Sequence, residues 1–194
     1  MSAVQVLNIK PEAGYCQKEV LRYAGCKDAE GELCSLIKDC YRELEGKLTY
    51  RLCYRKLELK IRDGVCDFGL FEVRSQNLAK ALEGCESAII FAATLGVDTD
   101  RLIAKYNCIS PAKALIMQAL GAERVEALCD CFCQKIAEEQ GTKPRFSPGY
   151  GDLPLEVQRD VFAVLECEKH IGLTLNDSLL MSPSKSVTAF VGIY

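Results

Sequence analysis

Residues 87–96, SAIIFAATLG, form a run of apolar and small residues of strand length with no charge in it. Side chains alternate sides along a strand, so a strand that is apolar at successive positions shows hydrophobic groups to both faces of its sheet. The run predicts a central strand buried on both faces, and both faces then need cover.

The flanking sequence supplies candidates. AVQVLNI (3–9) alternates and reads as a strand. YCQKEVLRYAG (15–25) reads as a short helix with Gly25 at its C-terminal end, and Leu33, Leu36, Ile37, Cys40 and Leu44 recur at helical spacing between Asp28 and Glu45. In LTYRLCYRKLELKIRDG (48–64), Tyr50, Leu52 and Tyr54 share one parity while Leu57, Leu59 and Ile61 share the other, which predicts a strand with a bulge near Arg55. A hairpin through Asp63-Gly64 leads into VCDFG and LFEVRS, and Ser75 can cap a helix running through Leu82. Ser110-Pro111 is a helix start followed by the longest helical pattern in the chain, to about Glu139. Pro154 can open a further helix ending near Gly172, and SVTAFVGIY closes the chain as a strand. Strands and helices mix without regular βαβ alternation. The expectation is an α+β fold with a mixed, mostly antiparallel sheet, in a single domain over 1–194: residues 1–48 form a strand plus helical part, and 49–194 an α+β core.

Composition excludes several function classes. A net charge of −3 over 194 residues offers no clustered basic face for nucleic acid. No apolar run reaches the ~18 residues of a membrane span and Met1 to Lys10 lacks the pattern of a signal peptide, so a soluble, cytoplasmic protein is expected. The twelve cysteines include no C-x-x-C pair. In CDCFC, Cys129 and Cys133 would share a helix face from which Cys131 points away, a poor start for a metal site, so most thiols are read as small core hydrophobes and no metal is assigned. Neither G-x-G-x-x-G nor G-x-x-x-x-G-K-[ST] occurs. His170, the only histidine, stands at a helix end and is read as exposed there, and no catalytic residue is assigned.

The least ordinary stretch is KPRFSPGYGDLP, residues 143–154, with three prolines, two glycines, an arginine and a tyrosine between two helical segments. Its core, RFSPGY (145–150), resembles the Arg-x-x-x-Gly-Tyr signature by which the activation domain of vitamin B12-dependent methionine synthase holds S-adenosylmethionine. AKALIMQALGAERVEALCD (112–130) resembles the long helix preceding that signature, and VLECEKHIGLTLNDSLLMSPSKSVTAFVGI (164–193) the segment following it. The resemblance covers roughly the C-terminal half, and the chain looks most like the short, free-standing relatives of that domain. No residue within 1–48 is matched to the family's N-terminal acidic ligand.

The resemblance implies roles. Arg145 would pair with the ligand carboxylate as a planar fork, and Glu126, matched to the family's helix glutamate and one turn from Asp130, would take the ammonium. Backbone groups of Ser147 and Tyr150, with the Tyr150 ring, would hold adenine; Gly149 would let the backbone approach, and Pro144 and Pro148 would stiffen the loop. Asp152 is read as structural, a cap for the helix opening at Pro154. EKHIGL (168–173) departs from the D-x-H-x-x-G pattern of cobalamin-binding modules at Glu168 and Leu173, so cobalamin would be carried by a partner. The implied function is reductive methylation of oxidised cobalamin in a partner methionine synthase lacking its own activation domain, an accessory role in methyltransferase activity, with flavodoxin or ferredoxin as candidate electron donors. A sensor of S-adenosylmethionine and an independent small methyltransferase are the alternatives.

Overall fold

The computed structural model describes residues 3–12, 14–28 and 30–194. The apolar run becomes β6 (Ser87–Thr94), buried throughout 88–94. It lies between β2 (Arg51–Glu58) and β9 (Ser186–Ile193) in a four-stranded antiparallel sheet, with β1 (Gln5–Leu7) outside β2. Two smaller antiparallel sheets accompany it: β3 (Lys60–Arg62), β4 (Val65–Asp67) and β5 (Glu72–Arg74) in one, β7 (Thr174–Leu175) and β8 (Met181–Ser182) in the other. The fold is α+β, as expected.

Each face of β6 has its own cover. Ile89, Phe91 and Ala93 join Leu52, Ala189 and Val191 against Val125, Leu128, Cys129 and Phe132 of α5 (Pro111–Glu139). The Phe132 ring sits 5.0 Å from Phe91 and 5.1 Å from Tyr54, and burying one such side chain contributes about 1.5–3 kcal/mol. On the other face Ala88, Ile90, Ala92 and Phe190 pack with α3 (Gln76–Ala81), α6 (Gln158–Leu165) and α7 (Cys167–Ile171). The N-terminal half of α5 leaves the sheet and forms a helical cluster with α1 (Gln17–Ala24), α2 (Glu32–Glu45) and α4 (Val97–Ile109).

Several local expectations are corrected. There is no bulge in β2: its ladder with β6 runs unbroken from Arg51↔Thr94 to Glu58↔Ser87. The parity change arises because Tyr50 and Leu52 face α5 whereas Cys53, Leu57 and Leu59 face the opposite core. The chain leaves this sheet at Leu59 and turns through Asp63-Gly64, both at positive φ (50° and 75°), as a two-residue hairpin demands. Helix α4 was not expected; Gly96 stands at its N-terminus without a side-chain cap. Helix α2 begins at Glu32 rather than Asp28, after Gly31 at φ 50°. At the head of α5, Ser110 makes no side-chain capping bond, and its carbonyl accepts from Ala114 at 3.0 Å. The helix expected from Pro154 to Gly172 opens with a tight turn (Leu155–Val157) and is broken at Glu166, left-handed at φ 46°, into α6 and α7. His170, in the last turn of α7, is half-buried rather than exposed, its Nε2 3.6 Å from Glu166 Oε2.

Asp152 is structural, but it caps a different helix. Its carboxylate accepts from Ser75 Oγ, from Gln76 N at 2.8 Å and from Asn77 N at 3.1 Å, while Ser75 Oγ accepts from Leu78 N at 3.0 Å. Two residues 77 positions apart thus satisfy the free N–H groups of α3. Six of the cysteines are buried: Cys40, Cys53, Cys66, Cys85, Cys129 and Cys167. Burial pushes the Cys40 and Cys66 thiols up to about 11. Cys131 faces away from Cys129, on the far side of α5. Among the described residues no helix is long and apolar enough to cross a membrane.

The shared cap sets a double-mutant test. Ser75→Ala should cost about 1 kcal/mol in urea unfolding, Asp152→Ala should also lower the midpoint, and the double variant should fall short of the sum because both serve one cap. The hydrogen bond from Ser75, with those from Asn77 and Gln76, holds the Asp152 carboxyl below its ordinary value. Its stabilisation is therefore complete above the unfolded value of ~3.9 and is lost as pH falls through the lower folded value. Melts of wild type and Asp152→Asn should converge in that acid range.

Candidate functional site

Strand β9 pairs with β6 on one side only, and residues 141–147 close its other edge. Lys143 N donates to Gly192 O at 2.9 Å, Phe146 and Phe190 exchange bonds of 2.9 and 2.8 Å, and Tyr194 N donates to Gly141 O at 3.1 Å. Pro144, lacking an N–H, falls between these ladder bonds, where no donor is needed. Alternation then separates neighbours: Phe146 packs toward the core containing Phe190, and Arg145 points to α5.

There Arg145 meets two carboxylates one helical turn apart. Its Nη1 lies 2.5 Å from Asp130 Oδ1, and its Nη2 contacts Glu126 Oε2. The Arg145 side chain is 23% exposed, against 40% for Glu126 and 73% for Asp130. Burial alone would lower the Arg145 pKa; the neighbouring Cys129, Asp130 and Glu126 outweigh it and push the guanidinium further up, so it stays charged.

Beyond Arg145 the chain turns tightly. Tyr150 N donates to Ser147 O at 3.3 Å, Leu153 N to Tyr150 O at 3.0 Å and Gly149 N to Leu153 O at 2.9 Å. Gly149 adopts φ 87°, so its glycine is demanded by the turn itself. Pro148 is buried beneath, and the Tyr150 ring stands 68% exposed.

Two grooves meet at Arg145 and Glu126. The smaller, about 230 Å³, is lined by Phe146, Ser147, Tyr150 and Val187. The other, about 460 Å³, runs between α5 and α1 and is lined by Glu123 and Asp130 on one side and by Cys16, Glu19, Arg22 and Tyr23 on the other. The structure thus brings Glu126, Arg145, Ser147 and Tyr150 to one place, with Gly149 in the turn behind them. A larger groove of about 750 Å³ between α6, α7 and 173–175 contains none of these residues.

The α1 wall was missed from sequence. Val20 and Leu21 bury against the helical cluster, which leaves Glu19 and Tyr23, four apart, along the groove; the amphipathic pattern was visible, but its packing partner was not. Glu123 holds α1 in place. Its carboxylate accepts from Cys16 N at 3.1 Å and pairs with Arg124 at 2.6 and 2.7 Å, with both side chains about 5% exposed. Glu19 in turn pairs with Arg22 at 2.7 Å.

Known proteins show the same architecture. The structure described as "Crystal Structure of the MetH Reactivation Domain bound to AdoHcy" superposes with a TM-score of 0.77 at 16% identity, over 98% of this chain and 78% of the other. At that identity the likeness is one of fold. No curated protein matches the sequence. The family described as vitamin B12 dependent methionine synthase, activation domain, matches residues 77–193, more than half of the sequence and the whole of the Arg145 loop, and the chain belongs to that family.

Proposed function

We propose that this chain binds S-adenosylmethionine across the two grooves and presents its methyl group to the cobalamin of a separate methionine synthase that lacks such a domain. The observation that carries the reading is Arg145, half-buried and flanked by carboxylates where a charged groove meets a small one rimmed by an aromatic ring. S-adenosylmethionine has matching parts: an amino-acid zwitterion, a sulfonium and a flat base. Arg145 takes the ligand carboxylate as a fork, Glu126 its ammonium, and Ser147 and Tyr150 the adenosine end. The Ser147 carbonyl already accepts from Tyr150 N, so it meets the base through its second lone pair, with the exposed Tyr150 ring as the stacking face. The fold neighbour solved with AdoHcy, the product such a transfer leaves, supports the same reading.

In the proposed reaction one electron from a reductant, with flavodoxin or ferredoxin as candidates, and the methyl group of the sulfonium convert the partner's cob(II)alamin to methylcobalamin and release S-adenosylhomocysteine. This chain's part is orientation, which needs no proton transfer.

Binding comes first. Calorimetric titration with S-adenosylmethionine should give a saturable isotherm, and a hundredfold excess over the dissociation constant should stabilise the fold by about 2.7 kcal/mol. Arg145→Ala should weaken binding by about 2 kcal/mol or more, since it strips the ligand carboxylate of its partner. Arg145→Lys should restore only part, and Glu126→Gln should weaken binding while leaving the protein folded. A flat titration at millimolar ligand would reject the reading.

Transfer is the second test. The partner synthase carrying cob(II)alamin, reductant and S-adenosylmethionine should form methylcobalamin, followed by its visible spectrum, only when this chain is added. The rate should saturate with its concentration and vanish with Arg145→Ala. Equal rates with and without the chain would remove the reactivation role while leaving ligand binding intact.

A further inference from the structure

The charges around the groove between α5 and α1 do not balance. Glu19 pairs with Arg22 and Glu123 with Arg124, one carboxylate to one guanidinium each. Arg145 alone serves two, Glu126 and Asp130. Four carboxylates therefore face three guanidiniums, and the surplus negative charge belongs to the Arg145 cluster.

A ligand carboxylate entering this cluster must displace one of the residents. Asp130, 73% exposed, keeps most of its hydration when released, whereas Glu126 is 40% exposed and gives up more solvation where it stands. Asp130 is the one to leave. We propose that Asp130 is a specificity-determining residue. It occupies the face of Arg145 that the ligand carboxylate takes, and once displaced its charge favours the sulfonium of S-adenosylmethionine over the neutral thioether of S-adenosylhomocysteine. This deepens the functional reading above and rests on it.

The exchange matches every charge of the methylated ligand. Its carboxylate goes to Arg145, its ammonium to Glu126, and the sulfonium, a short aliphatic chain away, lies within the ~8 Å over which Asp130 acts at physiological ionic strength. S-adenosylhomocysteine has the first two groups and lacks the third. With that ligand bound Asp130 has no partner, and it competes to return to Arg145. Loss of the methyl group thus weakens the hold on what remains, which favours release of the product and its replacement by fresh S-adenosylmethionine.

The test is calorimetric titration of wild type, Asp130→Asn and Asp130→Glu with S-adenosylmethionine and S-adenosylhomocysteine, each variant checked by thermal melting. Asp130→Asn should bind S-adenosylhomocysteine more tightly than wild type, because the competitor for Arg145 has lost its charge. The preference for S-adenosylmethionine should narrow by about threefold to fivefold, the size of a partly exposed ion pair. Asp130→Glu should keep the preference, and added salt should narrow it in wild type more than in Asp130→Asn. If wild type binds both ligands and Asp130→Asn leaves their ratio unchanged, the role of Asp130 is overturned and the functional reading stands. If Asp130→Asn weakens both equally, Asp130 contacts the ligand in common and the displacement is overturned. Wild-type protein that binds neither ligand overturns the functional reading and this inference with it.

Discussion

A strand with no exposed face commits the rest of a chain to covering it twice. Strand β6 is such a strand, and its two coats are the C-terminal half of α5 on one side and α3, α6 and α7 on the other. The sheet between them is only four strands wide, so β9 lies next to an open edge. An unpaired edge between two apolar layers would leave backbone N–H and C=O groups without partners. Residues 141–147 satisfy them by pairing irregularly with β9. Because that segment runs as a near-strand beside the sheet, its alternate side chains divide between the two layers, and Arg145 falls on the α5 side. The position of the guanidinium is thus a by-product of closing the sheet, and its precision comes from the ladder rather than from loop stiffness alone.

The long helix does two jobs. Its N-terminal half is the centre of a helical cluster and its C-terminal half is a lid on the sheet, and the buried Glu123–Arg124 pair sits where one gives way to the other. Burying two charges is costly even when they are paired. Here the carboxylate also accepts the N–H of Cys16, at the start of α1, a helix without a side-chain cap of its own. Glu123 therefore ties α1 to α5, and with it the Glu19 and Tyr23 wall of the groove. That wall lies outside residues 77–193, so the family signature marks only one side of the candidate site.

Where the pattern was local, the sequence was legible. The double burial of β6, the Asp63-Gly64 hairpin, the span of α5 and the Gly25 and Gly172 helix ends follow from neighbours within a few residues. The misreadings share one cause, dependence on something distant. Strand β2 looked bulged because Leu52 and Tyr54 pack on the α5 side while Cys53 and Leu57 pack into the opposite core, which is a fact about layers. Glu166 breaks a helix by standing in a left-handed conformation that no glycine announces. Asp152 caps a helix that began 76 residues earlier, and nothing at 152 marks its partner. At the candidate site, Arg145 and Glu126 both follow from the resemblance, one from its loop and the other from the matched helix, and the fold brings the two into contact. Asp130 was noted only as the neighbour of Glu126, since its pairing with Arg145 needs the fold.

The proposed role also accounts for how much of the site is left uncovered. An enzyme that runs its own acid–base chemistry gains from enclosing substrate, since excluding water strengthens every charge interaction inside. A protein that hands a methyl group to a large partner meets the opposite requirement: the sulfonium must be reachable from outside. The geometry leans that way, with Tyr150 and Asp130 exposed at the rim while Arg145 and Glu123 lie deeper. Exposure weakens each rim contact, so in the proposed role affinity would rest on the half-buried Arg145 and on Glu126. In the proposed complex the partner's surface would close the site, and desolvation of the charged groups would be completed only there. On this view the open groove and the surplus carboxylate serve one end, holding a cationic methyl donor firmly enough to orient it and its neutral product loosely enough to let it go.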